Sequence, residues 1–192
     1  MDNKYSFRWL NPPQWSEFDN IGLKVAPHGK SDFIRSYNST IADNACFYFT
    51  EVEGDFCFQA QVNCELVGRY DAGALMIRSD AEHWAKLCIE RCADDSIAIV
   101  SVVTNVWSDD TNNECLVDAN CYLRVIRQGD VIVFHYSLDG QVWRFVRKFP
   151  INWRDKLKVG IAAQAPFVEG ANMEFNHIQL GPNTVGNFRD GS

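Results

Sequence analysis

The sequence predicts an all-β fold, a sandwich of two antiparallel sheets, on three observations. Apolar and polar side chains alternate along most runs from residue 46 onward, which is the period of a strand that buries one face. Aromatic residues make up 13% of the chain, and strands favour aromatic and β-branched residues. Short Gly, Asp and Asn turns separate the runs, and no segment has a convincing helical period. The 192 residues fit one domain, residues 1–192.

About twelve strands follow from this pattern. The first forty residues are irregular, since Asn11-Pro12-Pro13 ends a short strand and residues 27–32 read as a loop. The predicted strands, in chain order, cover residues 7–10, 21–26, 47–49, 56–66, a hairpin within 70–91, then 97–104, 122–127, 131–138, 143–149, 157–164 and 173–180.

Several elements have their own justification. Residues 56–66 alternate regularly between apolar and other side chains, and residues 97–104 are apolar and β-branched on both faces, as in a covered central strand. Residues 106–113 predict a loop or a short edge strand. Asp139-Gly140 predicts a two-residue hairpin turn. We expect the tail, residues 182–192, to be flexible because it is rich in Asn, Gly, Thr and Asp.

Charge and cysteine usage restrict the function. A net charge of −7 argues against nucleic-acid and anionic-membrane partners, because nucleic-acid binding depends on neutralised phosphates. No window approaches the roughly 18 apolar residues of a membrane helix. Residues 1–8 lack the apolar stretch of a signal peptide, so a cytoplasmic location is expected. The seven cysteines include no Cys-x-x-Cys pair, which predicts free structural thiols and no metal site; no motif indicates a cofactor.

Residues 70–91 are the most informative part of the chain. As a hairpin, they place a purely apolar set on one face: Leu75, Ile77, Ala85, Leu87 and Ile89. The opposite face combines charge with an aromatic ring, through Met76, Arg78, Trp84, Lys86, Cys88 and Glu90. A guanidinium, an ammonium, a carboxylate and an indole together predict a ligand-binding groove. The alternative is a salt-bridged face with the indole packed under a loop.

Further binding candidates lie outside the hairpin. Residues 102–113 leave a core strand and enter a segment rich in acceptors, with an exposed-looking Trp107, where sandwiches tend to place binding groups. Alternatives for its Asp109, Asp110 and Asn112 are a solvated acidic loop or a calcium site, although the spacing lacks the usual calcium-loop pattern. Arg124 and His135, on neighbouring predicted strands, are expected to extend the same groove.

Glu90 is the candidate for any catalysis. A retaining glycosidase sets two carboxylates about 5 Å apart, and no such pair occurs in register on one predicted strand. Glu90 is the one acid well placed on the polar face. A partner such as Asp71 or Asp109 would have to be brought close by folding.

The order and spacing of three segments carry a family resemblance. The segments are residues 70–78, then Trp84-x-Lys86-x-x-x-Glu90, then residues 101–105 followed by Ser108-Asp109. They resemble the uncharacterised regulation-of-enolase-type family, a domain of unknown function in the concanavalin A-like lectin/glucanase group. The resemblance implies a concanavalin A-like jelly roll with any ligand on the concave sheet face. It carries the family pattern onto Gly73, Met76, Arg78, Trp84, Lys86, Glu90, Thr104 and Ser108.

One departure from the family pattern concerns the third segment. An aromatic residue commonly follows Ser-Asp in the pattern, whereas this chain has Asp110 there and Trp107 before Ser108.

Three functional hypotheses follow. The first is a non-catalytic carbohydrate-binding or carbohydrate-associated module that uses the polar sheet face. The second is a saccharide-active enzyme resembling a glycoside hydrolase, with Glu90 as acid or base. The third is a protein-interaction or regulatory module whose face accepts a peptide. The expected ligand is accordingly a saccharide or a peptide, and no oligomeric state is predicted.

Overall fold

A computed structural model describes residues 5–192. Residues 1–4, part of the stretch that predicts no signal peptide, lie outside the described residues. The strands are β1 (Arg8–Leu10), β2 (Trp15–Phe18), β3 (Gly22–Ala26), β4 (Phe33–Arg35), β5 (Ile41–Asp43), β6 (Cys46–Glu53), β7 (Phe56–Glu65), β8 (Ala72–Arg78), β9 (His83–Arg91), β10 (Ile97–Asn105), β11 (Trp107–Leu116), β12 (Asn120–Gln128), β13 (Val131–Ser137), β14 (Arg144–Pro150), β15 (Lys156–Gln164) and β16 (Asn172–Gly181). No helix in the described part of the chain is long and apolar enough to cross a membrane.

Two seven-stranded sheets form the sandwich, which confirms the predicted fold class. The first sheet has the order β1-β6-β15-β8-β9-β10-β11 and the second has the order β14-β13-β12-β7-β16-β3-β2. Neighbouring strands in both sheets are antiparallel. Strands β4 and β5 form a separate two-stranded hairpin.

The main core lies between the two sheets and confirms the predicted faces of the central hairpin. Strands β8 and β9 pair with Arg78 opposite Trp84 and Met76 opposite Lys86. Leu75, Ile77 and Leu87 are fully buried in this core, together with the inward side chains of β7 and β12. The alternation of faces along β9 therefore directs Lys86 and Glu90 to the outer face of the first sheet.

A second apolar cluster covers that outer face. It joins Met76, Trp84 and Val100 of the sheet to Phe33 and Ala45 of the segment 27–45, which we call the flap. The flap contains β4 and β5 and packs its Phe33 ring 6.1 Å from the Trp84 ring. The first sheet is thus buried on both sides, so part of its predicted polar face is interior.

Three features of the chain differ from the sequence-based expectation. Strands β2, β4 and β5 are only three or four residues long, so they are too short to show an alternating signal. Residues 107–116 form a long edge strand rather than a loop or a short strand. The prediction of a two-residue turn at Asp139-Gly140 is wrong, because a longer loop, residues 138–143, connects β13 to β14. In this loop Asp139 Oδ1 accepts the backbone N–H groups of Gln141 and Val142.

Candidate functional site

A cavity of about 550 Å³ opens on the outer face of the first sheet, between the flap and strands β9 to β11. Its apolar floor includes Val100 and Val102 of β10. The polar side chains around it are Lys30, Asp32, Ser36, Thr40, Lys86, Glu90, Asp110, Asn112 and Gln164, and its mouth includes Tyr70 and Phe167. Of the ten ligand-binding residues predicted from the sequence, Lys86 and Glu90 line this cavity.

Glu90 is the least satisfied charged group of the cavity. Its side chain is almost fully buried, at 8% exposure, yet its carboxylate makes no hydrogen bond or ion pair with any described residue. Burial raises the pKa of this carboxyl to about 7; the positive charge of Lys86 opposes the shift, and the charges of Asp32 and Asp110 add to it. A carboxylate in this state is ready to accept hydrogen bonds from a ligand.

Lys86 links the cavity to the flap. Its ammonium donates hydrogen bonds to the Phe33 carbonyl at 2.9 Å and to Gln164 Oε1 at 2.6 Å, and it lies 3.5 Å from Asp32 Oδ1. Burial alone would lower the pKa of this ammonium, but negative charges nearby, with Asp32 first, raise it above its usual value. Lys86 is therefore a fixed cation whose donors are already engaged by the protein.

Aromatic rings stand at the mouth of the cavity. The rings of Tyr70 and Phe167 lie 5.9 Å apart and both side chains are exposed. Gln164 Nε2 donates to the Tyr70 carbonyl at 2.9 Å, which fixes the backbone beneath the first ring. Exposed aromatic faces next to polar groups are the combination that binds the apolar face of a sugar ring.

The carboxylate acceptors of the cavity have free hydrogen-bonding positions, whereas several of its donors already have partners within the protein. Asp32 Oδ1 is buried without a hydrogen-bond partner, although it lies near the Lys86 ammonium. Asp110, like Glu90, makes no side-chain hydrogen bond or ion pair within residues 5–192. Asn112 Nδ2, in contrast, already points to Cys92 Sγ at 3.5 Å. The arrangement favours a ligand that supplies donors.

The remaining hairpin candidates hold the flap instead of lining the cavity. Arg78 donates to both carboxylate oxygens of Asp43, at 2.6 and 2.7 Å, and its guanidinium lies 5.5 Å from the centre of the Phe33 ring. Trp84 is buried beneath the same ring, and its Nε1–H has no partner. Met76 is fully buried beside them. The prediction that these three side chains line an open groove is wrong, because the flap covers them.

Thr104 and Ser108 also belong to the flap contact. Their hydroxyls lie 2.8 Å apart, and Ser108 Oγ accepts the backbone N–H of Arg35 at 2.9 Å. Trp107 is partly exposed, and its ring meets the Tyr37 ring edge-on at a centroid distance of 5.2 Å. None of the three predicted residues lines the cavity.

Arg124 and His135 lie on the wrong sheet for the predicted groove. They face each other on β12 and β13 of the second sheet, opposite the outer face that carries Glu90. Arg124 donates to the Gly191 carbonyl at 2.9 Å, and His135 Nε2 lies 2.7 Å from the Phe188 carbonyl. Both therefore bind the tail of the chain, so their predicted place beside the hairpin is corrected.

The carboxylates expected to assist Glu90 are engaged elsewhere. Asp71 Oδ2 accepts the backbone N–H groups of Val67 at 3.0 Å and Gly68 at 2.7 Å. Asp109 pairs with Arg147 of the second sheet at 2.6 Å. The acids that share the cavity with Glu90 are Asp32, which the sequence analysis missed, and Asp110, which lies in the candidate segment 102–113 but was not predicted as a partner of Glu90.

The place of Asp110 on the same sheet face as Glu90 had a usable sequence signal. Ser108, Asp110 and Asn112 alternate along one face once residues 107–116 are treated as a strand, so Asp110 follows from the period of two. Asp32 lies in an irregular stretch of the flap, and no periodicity points to it. Among the described residues, no group of three His, Cys, Asp or Glu side chains is arranged to hold a metal ion.

The fold and the site define a two-sheet β-sandwich protein with a polar cavity on one outer sheet face. The chain belongs to the family described as protein of unknown function (DUF1349), whose model matches residues 9–183. This confirms the resemblance seen in the hairpin motif. Gly73 of that motif has a steric reason, since a Cβ there would lie 2.7 Å from Cys64 Sγ.

Known proteins share this sequence or fold to different degrees. Regulation of enolase protein 1 of Saccharomyces cerevisiae is 30% identical over 175 residues, covering 90% of this chain and 87% of that protein. The crystal structure of a functionally unknown protein from Saccharomyces cerevisiae is 28% identical with a TM-score of 0.87, covering 92% of this chain and 96% of that one.

Two solved structures share the fold at low identity. The carbohydrate-binding module CBM66 from Bacillus subtilis has a TM-score of 0.59 at 15% identity, covering 90% of this chain and 94% of that one. The GH43 protein BlXynB from Bacillus licheniformis has a TM-score of 0.67 at 13% identity, covering 84% of this chain and 33% of that one. At these identities the likeness concerns the fold alone.

Proposed function

We propose that this protein binds a saccharide, without cleaving it, in the cavity between the flap and strands β9 to β11. The observation that carries the proposal is the Glu90 carboxylate, which is nine-tenths buried, borders the cavity and has no hydrogen-bond partner among the described residues. Burial deprives this carboxylate of most of its hydration while its oxygens still reach the cavity, so a ligand there can donate hydrogen bonds to it. Sugar hydroxyls are donors of this kind.

The shape and walls of the cavity support a ligand of sugar size. Small-molecule cavities have volumes of roughly 300–1,000 Å³, and this one measures about 550 Å³. The rings of Tyr70 and Phe167 at its mouth offer apolar faces to the C–H groups of a sugar ring. A carbohydrate-binding module with the same overall fold is consistent with the proposal, although fold likeness alone does not imply the ligand.

The proposal assigns ligand contacts to a smaller and partly different set of residues than the sequence suggested. Glu90 and Asp110 would accept hydrogen bonds from the ligand, while Lys86 keeps Asp32 and the flap in place. Arg78 and Trp84 would act on ligand affinity only through the position of the flap.

A glycan array followed by titration calorimetry tests the proposal. We expect the wild-type protein to bind defined glycans, and Glu90→Gln to weaken binding by about tenfold, since a hydrogen bond to a charged group is replaced by a neutral one. Tyr70→Ala should weaken binding of the same glycans. Glu17→Gln, on β2 at the far edge of the second sheet, is the matched control and should bind as the wild type does. An array without binding, or binding unaffected by both cavity variants, would contradict the proposal.

A second candidate function is saccharide hydrolysis with Glu90 as general acid. It is favoured by the pKa of Glu90, which burial raises to about 7, and by the presence of Asp32 and Asp110 in the same cavity. The spacing of the strands disfavours a close pair. Glu90 and Asp110 lie two strands apart and are offset by four residues in register, which separates their Cα atoms by roughly 16 Å.

Aryl glycosides distinguish binding from hydrolysis. If the protein only binds, release of the aryl group stays at the rate of the buffer. Steady release by the wild type that Glu90→Gln abolishes, together with a rate that falls as the pH rises through about 7, would establish the hydrolase instead.

A further inference from the structure

The cavity offers a ligand more hydrogen-bond acceptors and more negative charge than a neutral sugar needs. We infer that its preferred ligand carries a protonated amino group, and that the ligand is an amino sugar with a free amine. This inference rests on the proposed saccharide binding and specifies which saccharides the site selects.

The donors of Lys86 and Gln164 are used by the protein itself, whereas the side chains of Lys30, Ser36 and Thr40 on the flap have no partner among the described residues. The Lys86 ammonium donates one hydrogen bond to the Phe33 carbonyl and one to Gln164 Oε1. It also forms an ion pair with Asp32. The Gln164 amide gives an N–H to the Tyr70 carbonyl. These donors cannot turn to a ligand without breaking a contact that holds the flap or the mouth.

The acceptors have not been used in this way. The carboxylates of Glu90 and Asp110 have no partner among the described residues, and Asp32 Oδ1 is buried without a hydrogen bond. Three carboxylates therefore border the cavity against two ammonium groups, those of Lys86 and Lys30. Lys30 lies at the exposed rim and Lys86 is committed to Asp32, which leaves the Glu90 and Asp110 side negative.

An ammonium group matches this wall better than a hydroxyl does. It provides three donors and no acceptor, whereas a hydroxyl provides one donor and brings lone pairs that the wall cannot satisfy. Its charge also strengthens each hydrogen bond to a carboxylate, and the effect is larger here because Glu90 is shielded from water. The difference between charged and neutral hydrogen bonds corresponds to about a tenfold change in affinity.

The sheet register gives the ligand a defined place. Strand β10 lies between β9, which carries Glu90, and β11, which carries Asp110. Val100 and Val102 of β10 form the apolar floor between these strands. A sugar ring over the two valines would direct an amino substituent to the carboxylate side and its C–H face to the floor.

Matched sugars that differ only at the amine test the inference. The probes are glucose, glucosamine and N-acetylglucosamine, with the corresponding galactose series, titrated by calorimetry at pH 7.5, where the Glu90 carboxyl with its pKa of about 7 is mostly ionised. We expect each free amine to bind about tenfold more tightly than its parent sugar, and the acetylated forms to lose that advantage. Asp110→Asn should remove most of the amine preference, whereas Glu17→Gln should leave it intact. Circular dichroism and unfolding curves confirm that each variant is folded.

The outcomes separate the two proposals. Equal affinity for the amino sugar and its parent, or a preference that survives in Asp110→Asn and Glu90→Gln alike, overturns the amine inference and leaves saccharide binding standing. Failure of every probe to bind overturns the amine inference, and together with a glycan array without binding it overturns both proposals. Binding of the acetylated form in preference to the free amine also overturns the inference, because it shows that the site selects the amide.

Discussion

The Arg78 guanidinium donates hydrogen bonds to both carboxylate oxygens of Asp43, at 2.6 and 2.7 Å. This ion pair fixes β5 of the flap to β8 at the centre of the first sheet. The guanidinium is buried, whereas the carboxylate keeps partial contact with solvent. Because Lys86 holds the other strand of the flap through the Phe33 carbonyl, two basic side chains of one hairpin carry the flap. The charges of Arg78 and Lys86, which the sequence analysis assigned to a binding groove, therefore stabilise the packing of the flap on the sheet.

The first prediction concerns this ion pair. Arg78→Ala should lower the free energy of unfolding by about 2–4 kcal/mol, since it leaves the Asp43 carboxylate unpaired and uncovers the Phe33 ring. Asp43→Asn should cost a comparable amount, because it leaves the buried Arg78 guanidinium without its counterion although the amide oxygen still accepts one hydrogen bond. Urea unfolding of both single variants and the double variant measures the coupling. Losses that simply add would show that the two side chains do not interact.

The fold was predictable because its strands repeat a simple pattern. Residues 56–66 and 97–104 match β7 and β10 closely, since burial on one or both faces leaves a direct trace in the apolar period. Strands β4 and β5 left no such trace. They are three residues long, and their register is set by contacts with Arg78 and Ser108 that are distant in sequence.

The candidate site was predictable only in part, for the same reason. The period of two placed Lys86 and Glu90 correctly on the outer face of β9, but it could not tell which half of that face the flap covers. Asp32 reaches the cavity from the flap and is brought there by tertiary structure. Arg124 and His135 were assigned to the wrong sheet because strand pairing, not strand identity, decides which outer face a residue joins.

The second prediction is a pH dependence of stability that originates at Glu90. Its pKa is raised to about 7 in the folded state, above the value of 4.5 in an exposed chain. The folded state therefore binds the proton more tightly, so this contribution to stability is complete below about pH 4.5 and is lost as the pH rises through about 7. Glu90→Gln should be more stable than the wild type by up to about 3 kcal/mol at pH 8, relative to their difference at pH 4.5.

Chemical denaturation across this pH range measures the effect. The difference between the wild type and Glu90→Gln should change with pH, while the difference between the wild type and Glu17→Gln should stay flat. A constant difference for Glu90→Gln from pH 4.5 to pH 8 would show that the carboxylate is solvated or paired in solution.

The third prediction separates the structural tryptophan from ligand binding. Trp84→Phe removes a buried indole N–H that has no partner, which offsets much of the cost of the smaller ring, so we expect a net loss below about 1 kcal/mol. Phe33→Ala, which removes the ring above it, should cost about 3–5 kcal/mol. Unfolding curves measure both losses. Saccharide affinity should be unchanged in Trp84→Phe. A tenfold loss of affinity would show that Trp84 contributes to the binding site after all.

The fourth prediction concerns the tail, which crosses the outer face of the second sheet. His135 lies between Arg124, 3.4 Å from its Nδ1, and the Phe188 carbonyl, 2.7 Å from its Nε2, so it fits as the neutral ring with the proton on Nε2. Burial lowers its pKa, and the neighbouring Arg124 acts in the same direction. The stabilisation that depends on neutral His135 is present above about pH 6.5 and is lost as the pH falls through the lowered pKa.

Hydrogen-exchange protection of residues 183–192 measures this prediction. The protection factors of the wild type should fall on acidification, whereas His135→Gln, whose amide can donate to the same carbonyl without titrating, should keep them. Gly191→Val is the positive control, because Gly191 has a φ of 76° and a Cβ there would lie 2.5 Å from Arg124 Nη2, so the tail should detach at every pH. Equal protection of the wild type at pH 5 and pH 7.5 would show that His135 does not control the tail.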